Sequence, residues 1–309
     1  MMKYLLLIPA LLLTAAVVFS QSSNKVRYKD LVFPSVIRNA NISYLSSPKN
    51  GTKKKYYLLD LYSPAKDTVR LRPLIVWVHG GGFKYGNKRS AGTPVWSRTF
   101  ARRGYVCAAI NYRLSKKKPL LRFPHLLEGC SDAIDDLTDA VAFLKKNARL
   151  YGIDTHRIIL GGNSAGGIVA LQSVYSSERD LYCLINKDSM PAGSTRYNPV
   201  KAIAIVNFWG AVFDTASFNN GSVPIVSVHG TKDKIVPFET GKAPMYGSLC
   251  IQRQANAMGI DNLLKPYAGY GHELYRHFNP LWHTRKIKRR WLESGQEVAN
   301  FLYKHVQND

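Results

Sequence analysis

Residues 157–170 read Arg157-Ile-Ile-Leu-Gly-Gly-Asn-Ser-Ala-Gly-Gly-Ile-Val-Ala170. An apolar run of strand length, Arg157–Gly161, passes into a turn of small residues and then into a helix-favouring stretch, Ala165–Ser176. Gly162, Ser164 and Gly166 give the turn the form G-x-S-x-G, which carries meaning only between a strand and a helix. A reversal that sharp leaves no room for side chains beside the serine, and glycines supply the space. The Ser164 hydroxyl then projects from the turn, and the first N–H groups of the new helix point at the same place. A nucleophile beside donors for developing negative charge suits acyl transfer.

Working outward, Pro73–His79, Tyr105–Asn111, Lys201–Phe208 and Val223–His229 are further short apolar runs. They are continuous rather than alternating, as expected of parallel strands buried on both faces. Val36–Tyr44 and Lys55–Tyr62 alternate and read as antiparallel entry strands, and Asn262–Tyr267 reads as the last strand. Helices are predicted over Ser97–Arg103, Asp132–Ala148, Pro244–Met258 and Arg290–His305. The second of these carries its acids early and its lysines late, in accord with the helix dipole. The alternation predicts an α/β fold: a mostly parallel sheet of about eight strands with helices on both faces. Asn207–Pro224 is too short to hold much of a cap, and Glu178–Pro199, rich in turn residues, is the candidate flap.

The chain has 309 residues, 46% of them apolar and 20% charged, which excludes an intrinsically disordered protein. No internal repeat is visible. Cys107, Cys130, Cys183 and Cys250 form no CxxC pair, so a structural zinc site is not expected; a Cys183–Cys250 disulfide is left open. Lys3, the apolar stretch Tyr4–Phe19 and the polar residues from Ser20 onward have the form of a signal peptide over residues 1–20. The expectation is a secreted or periplasmic protein with one domain over residues 21–309.

Three more sites carry chemistry. His79-Gly80-Gly81-Gly82-Phe83 follows a strand directly, and a glycine run there lets backbone amides face a bound oxygen. Asp233 stands in the loop after the Val223–His229 strand, and His272 in a glycine-bearing loop after the last strand. Serine, acid and base thus occur in the order that such sites follow, at strand ends where open α/β sheets bind ligands. Asp214 and Glu239 are rival acids, and His277 and His283 rival bases.

On the His79-Gly-Gly-Gly-Phe, Gly162-Asn-Ser-Ala-Gly-Gly, Asp233-Lys-Ile-Val-Pro and Gly271-His272 segments, the chain resembles the α/β-hydrolases of the carboxylesterase/lipase group, near the hormone-sensitive-lipase-like and related bacterial esterases. The resemblance implies Ser164 as nucleophile, His272 as general acid/base and Asp233 as its orienting acid. It implies an oxyanion hole from the N–H groups of Gly81, Gly82 and Ala165, and neither a metal nor an organic cofactor. The implied substrates are small or carbohydrate-linked esters. Asn163 departs from the pattern, since the related groups carry Asp or Glu there.

An amidase, an arylformamidase-like hydrolase or a peptidase on the same fold is the alternative within enzymes. A catalytically silent binding or adhesion protein is the alternative outside them. The net charge of +23 points to an anionic polymer or membrane surface rather than nucleic acid, for which no recognition motif is present. Arg113, Lys116, Lys117, Lys118 and Arg122 follow a strand whose end lies on the active edge of the sheet. They are expected at the rim of the site, with Arg285–Arg290 extending the same surface.

Overall fold

The computed structural model describes residues 25–90, 92–186, 199–220, 222–241, 244–276 and 284–307. The leader at residues 1–20, most of the expected flap, and both rival bases, His277 and His283, lie outside them.

Eight strands form one sheet: β1 (Val36–Ser43), β2 (Leu58–Pro64), β3 (Arg72–Val78), β4 (Val106–Ile110), β5 (Ile153–Asn163), β6 (Ala204–Phe208), β7 (Ile225–Gly230) and β8 (Asn262–Tyr267). Their order is β1-β2-β4-β3-β5-β6-β7-β8. The β1–β2 and β2–β4 pairs are antiparallel, and every later pair is parallel. This is the α/β-hydrolase arrangement expected from the sequence. The helices are α1 (Thr93–Ala101), α2 (Phe123–Lys146), α3 (Ala148–Tyr151), α4 (Ala165–Tyr175), α5 (Glu178–Asn186), α6 (Ser248–Ala257) and α7 (Arg285–Val306).

Strands β2 to β7 are buried on both faces, their successive side chains pointing to opposite sides, while the edge strands β1 and β8 stay largely exposed. Leu74, Val76 and Val78 of β3 join Leu137, Val169 and Ile251 from α2, α4 and α6 in one core. Ile75 and Trp77 join Trp96, Phe100 and Trp291 from α1 and α7 in the other. Aromatic packing dominates this second core, where the Trp96 and Phe208 rings stack at 4.0 Å.

Several element ends differ from expectation. Helix α2 begins nine residues before Asp132, because Pro124 sits in its first turn, where the missing N–H costs nothing. Helix α6 begins at Ser248 rather than Pro244, since Tyr246 pairs with Val212 and holds that stretch extended. Lys54–Tyr57 forms a 3-10 turn ahead of β2. No disulfide joins Cys183 to Cys250.

Candidate active site

Ser164 follows β5 directly and caps α4 with φ 55° and ψ −123°, a backbone geometry that a side chain tolerates poorly. The packing around it explains how the turn is held. A β-carbon on Gly166 would stand 2.0 Å from the Val78 carbonyl oxygen, and one on Gly162 would stand 2.4 Å from Gly166. Only glycines let α4 start this close to β3. The Ser164 N–H donates to the Phe208 carbonyl at 2.9 Å, fixing the turn from its other side.

Three of the expected residues meet here. His272 Nε2 lies 2.9 Å from Ser164 Oγ, and His272 Nδ1 lies 2.7 Å from Asp233 Oδ2. All three are buried. Asp233 Oδ1 accepts the Ile235 and Val236 N–H groups at 2.8 and 3.0 Å. Burial pushes the Asp233 carboxyl upward, but hydrogen bonds from His229 and His272 outweigh it and hold the group well below the usual carboxylate range. With an ionised Asp233 accepting, Nδ1 of His272 is the donor and Nε2 is left facing the serine hydroxyl.

The rival acids stand elsewhere. Asp214 is exposed and accepts the Ala216 N–H, and exposed Glu239 pairs with Arg253.

The turn after β3 lies beside the serine. Gly81 and Gly82 have φ 118° and 58°, and a β-carbon on Gly81 would stand 2.1 Å from the Tyr85 carbonyl oxygen. The N–H groups of Gly81, Gly82 and Ala165 donate to no group among the described residues. With Ser164 and His272, these three residues line a cavity of about 940 Å³. Phe83, Phe123, Leu126, Ile168, Val236 and Met245 give the cavity a mostly apolar wall.

Four further residues support this arrangement, two of which, His229 and Trp291, have no assigned part in the sequence reading. His229 Nδ1 lies 2.8 Å from Ser248 Oγ, while its Nε2 lies 3.1 Å from the Val236 carbonyl and 3.3 Å from Asp233 Oδ2. Asn163 accepts the Gly80 N–H at 3.2 Å, joining the serine turn to the glycine turn. A neutral amide thus makes the link at the position where the sequence departs from its related groups. Arg290 donates to the Leu274 carbonyl at 2.9 Å, and Trp291 Nε1 to the Glu273 carbonyl at 3.0 Å, so α7 pins the His272 turn. The only local signal for His229 is its place at a strand end just before the Asp233 loop.

The expected basic rim needs one correction. Arg113 is buried and paired with Asp135 and with Asp136, whose Oδ1 is 2.9 Å away. It braces α2 instead of facing the site, because its acidic partners arrive on the next helix. Lys116, Lys117, Lys118 and Arg122 are exposed. Arg290 stacks on the Tyr270 ring at 4.5 Å, which places the start of α7 against the His272 loop.

A family model described as BD-FAE matches residues 59–221, just over half of the chain. Esterase LipC of Mycobacterium tuberculosis (strain ATCC 25618 / H37Rv) is 25% identical over 246 residues, covering 70% of this chain and 57% of LipC. The probable isoprenylcysteine alpha-carbonyl methylesterase ICMEL1 of Oryza sativa subsp. japonica is 36% identical over 130 residues, covering 42% of this chain and 26% of that protein. The chain therefore spans less than two thirds of the length of either relative. Native esterase 2 of Thermogutta terrifontis superposes with a TM-score of 0.59 at 20% identity, covering 91% of this chain and 95% of that one, a likeness of fold.

Proposed function

Because the chain belongs to the BD-FAE family, we propose that it is a serine hydrolase of carboxylic esters, with Ser164 as nucleophile, His272 as general acid/base and Asp233 as the acid that orients His272. The observation that carries this reading is the continuous contact from Ser164 Oγ through the His272 ring to Asp233 Oδ2, at 2.9 and 2.7 Å.

In the proposed reaction, Ser164 Oγ bonds to the ester carbonyl carbon while its proton passes to His272 Nε2. The carbonyl electron pair moves onto oxygen, and the Gly81, Gly82 and Ala165 N–H groups receive that charge. Collapse of the tetrahedral intermediate breaks the bond to the alcohol, which leaves with the proton from Nε2. A water then gives its proton to Nε2 as it attacks the acyl-enzyme. The second collapse frees the carboxylic acid and returns the proton to Ser164 Oγ. Asp233, held ionised, stabilises the imidazolium formed in each half.

The cavity suits a small ester, or the ester arm of a carbohydrate-linked one, and its apolar wall favours an apolar acyl group. Ser164→Ala should lower kcat on p-nitrophenyl esters by a factor on the order of 10⁴ or more without loss of fold. A serine-directed phosphonate should add to Ser164 alone. Retained activity in the variant, or labelling elsewhere, refutes the assignment. Matched ester and amide substrates separate this reading from amide hydrolysis, and activity confined to the amide would reverse the choice.

A further inference from the structure

The mouth of the cavity has an uneven surface. On one lip, Pro119, Leu120 and Leu121 follow Lys116, Lys117 and Lys118 and precede Arg122. Leu120 and Leu121 are 57% and 79% exposed. A second lip of the same cavity carries Ile235, which is 46% exposed and stands beside exposed Lys234. Tyr85, 64% exposed, completes the opening. Large apolar side chains thus project at the entrance to an apolar cavity, each lip flanked by cations. Lys117 pairs with Glu128 at 2.7 Å, whereas Lys116, Lys118, Arg122 and Lys234 make no ion pair among the described residues.

This lip is joined to the catalytic turn. Lys84 Nζ donates to the carbonyls of Ser115, Lys116 and Lys117 at 3.0, 3.1 and 2.9 Å. Leu120 lies over Gly82, where a β-carbon would stand 2.2 Å from its Cδ2. A group that takes hold of Leu120 and Leu121 is therefore seated directly at the cavity.

We propose that the protein docks its active-site mouth on an anionic lipid surface, with Leu120, Leu121 and Ile235 entering the interface while Lys116, Lys117, Lys118, Arg122 and Lys234 meet the headgroups. Charge alone would suit any polyanion. Exposed leucines between the cations favour a surface with an apolar layer beneath its charge. Among the described residues no helix is long and apolar enough to cross a membrane. The orientation rests on the ester-hydrolase reading, because it delivers an apolar ester from the lipid into the cavity.

The test uses the full chain carrying Ser164→Ala, so that attachment is measured without turnover. Vesicles of phosphatidylglycerol and phosphatidylcholine in equal parts are compared with phosphatidylcholine alone by co-sedimentation. The protein should sediment with the anionic vesicles only. Lys116→Gln, Lys117→Gln and Lys118→Gln together should weaken attachment roughly a hundredfold. Leu121→Ser should weaken it about tenfold, and the deficit should persist in high salt, where the lysine effect fades. No attachment, or equal attachment to both vesicles, overturns the proposal. Attachment that follows the lysines but ignores Leu121 also overturns it, in favour of an anionic polymer held by charge. Ester turnover in solution is measured separately with the unaltered serine, so either reading can fail without the other.

Discussion

His229 approaches Asp233 through the same carboxylate oxygen that faces His272, with its Nε2 at 3.3 Å from Oδ2 against 2.7 Å for His272. The Val236 carbonyl beside Nε2 can only accept, so Nε2 donates and the Ser248 hydroxyl faces Nδ1. Asn207 in turn donates to Ser248 at 3.1 Å. A buried chain of side chains from β6, α6 and β7 therefore ends on Asp233, the carboxylate that faces His272 Nδ1.

His229→Leu should remove one of the donors that keep Asp233 ionised. The Asp233 carboxyl, followed by ¹³C NMR, should then titrate at higher pH than in the parent protein. Its ionised form stabilises the fold above the unfolded value near ~4, and that contribution disappears as pH falls through the folded value. The variant should lose it sooner on acidification. We expect kcat to fall about tenfold, with His229→Gln recovering part of the loss. An unmoved Asp233 titration would mean that His229 only fills space.

His79 gives the fold a separate sensitivity to acid. Burial pushes its imidazole down to about 4, while its ring stacks on Tyr112 at 4.3 Å. The unfolded chain takes up this proton near ~6.5. Stability should be complete above that value and should decline as pH falls toward 4, by about 3 kcal/mol in all. Urea unfolding near pH 7 and near pH 4, repeated on His79→Gln, isolates the contribution. An identical decline in the variant would exclude His79 as its source.

Asn163→Ala should free the Gly80 N–H and loosen the glycine turn against the serine turn. The expected result is a fall in kcat of about tenfold or more with little change in KM, because in the proposed reaction the affected donors act mainly on the developing oxyanion. Asn163→Asp keeps the acceptor and should retain more activity than the alanine variant. If alanine and aspartate behave alike, the Gly80 bond has no bearing on turnover.

Trp291→Phe keeps most of the ring packing but removes the donor to the Glu273 carbonyl. Loss of one such bond, about 1 kcal/mol, should lower kcat several-fold while the thermal midpoint shifts by only a few degrees. A large fall in the midpoint with kcat intact would make the tryptophan a matter of core packing alone.

The sheet was legible because its strands are local apolar runs, and the turn at Ser164 because strand, small residues and helix adjoin in the chain. The loops bearing Asp233 and His272 could be located for the same reason, each at the end of a readable strand. What escaped depends on contacts between distant segments. Arg113 looked like a surface cation until Asp135 and Asp136 came back against it on α2. The start of α2 was hidden by Pro124, which marks a boundary in a sequence but is tolerated in a first turn. Asn163 meets Gly80 across 83 positions, and His229 meets Asn207 only through Ser248. No local pattern encodes such meetings.

The order of synthesis gives the pinning of the His272 turn by α7 a further meaning. A ribosome completes Ser164 and its glycine neighbours long before it reaches Arg290 and Trp291. While the nascent chain is still tethered, the turn carrying His272 has no Leu274 or Glu273 carbonyl bond to α7 to hold it in place. Ser164 then faces an unanchored His272 until α7 has emerged and packed. On the proposed reading, a chain cut before Arg290 should therefore be inactive on esters, because nothing from α7 anchors the turn that carries His272.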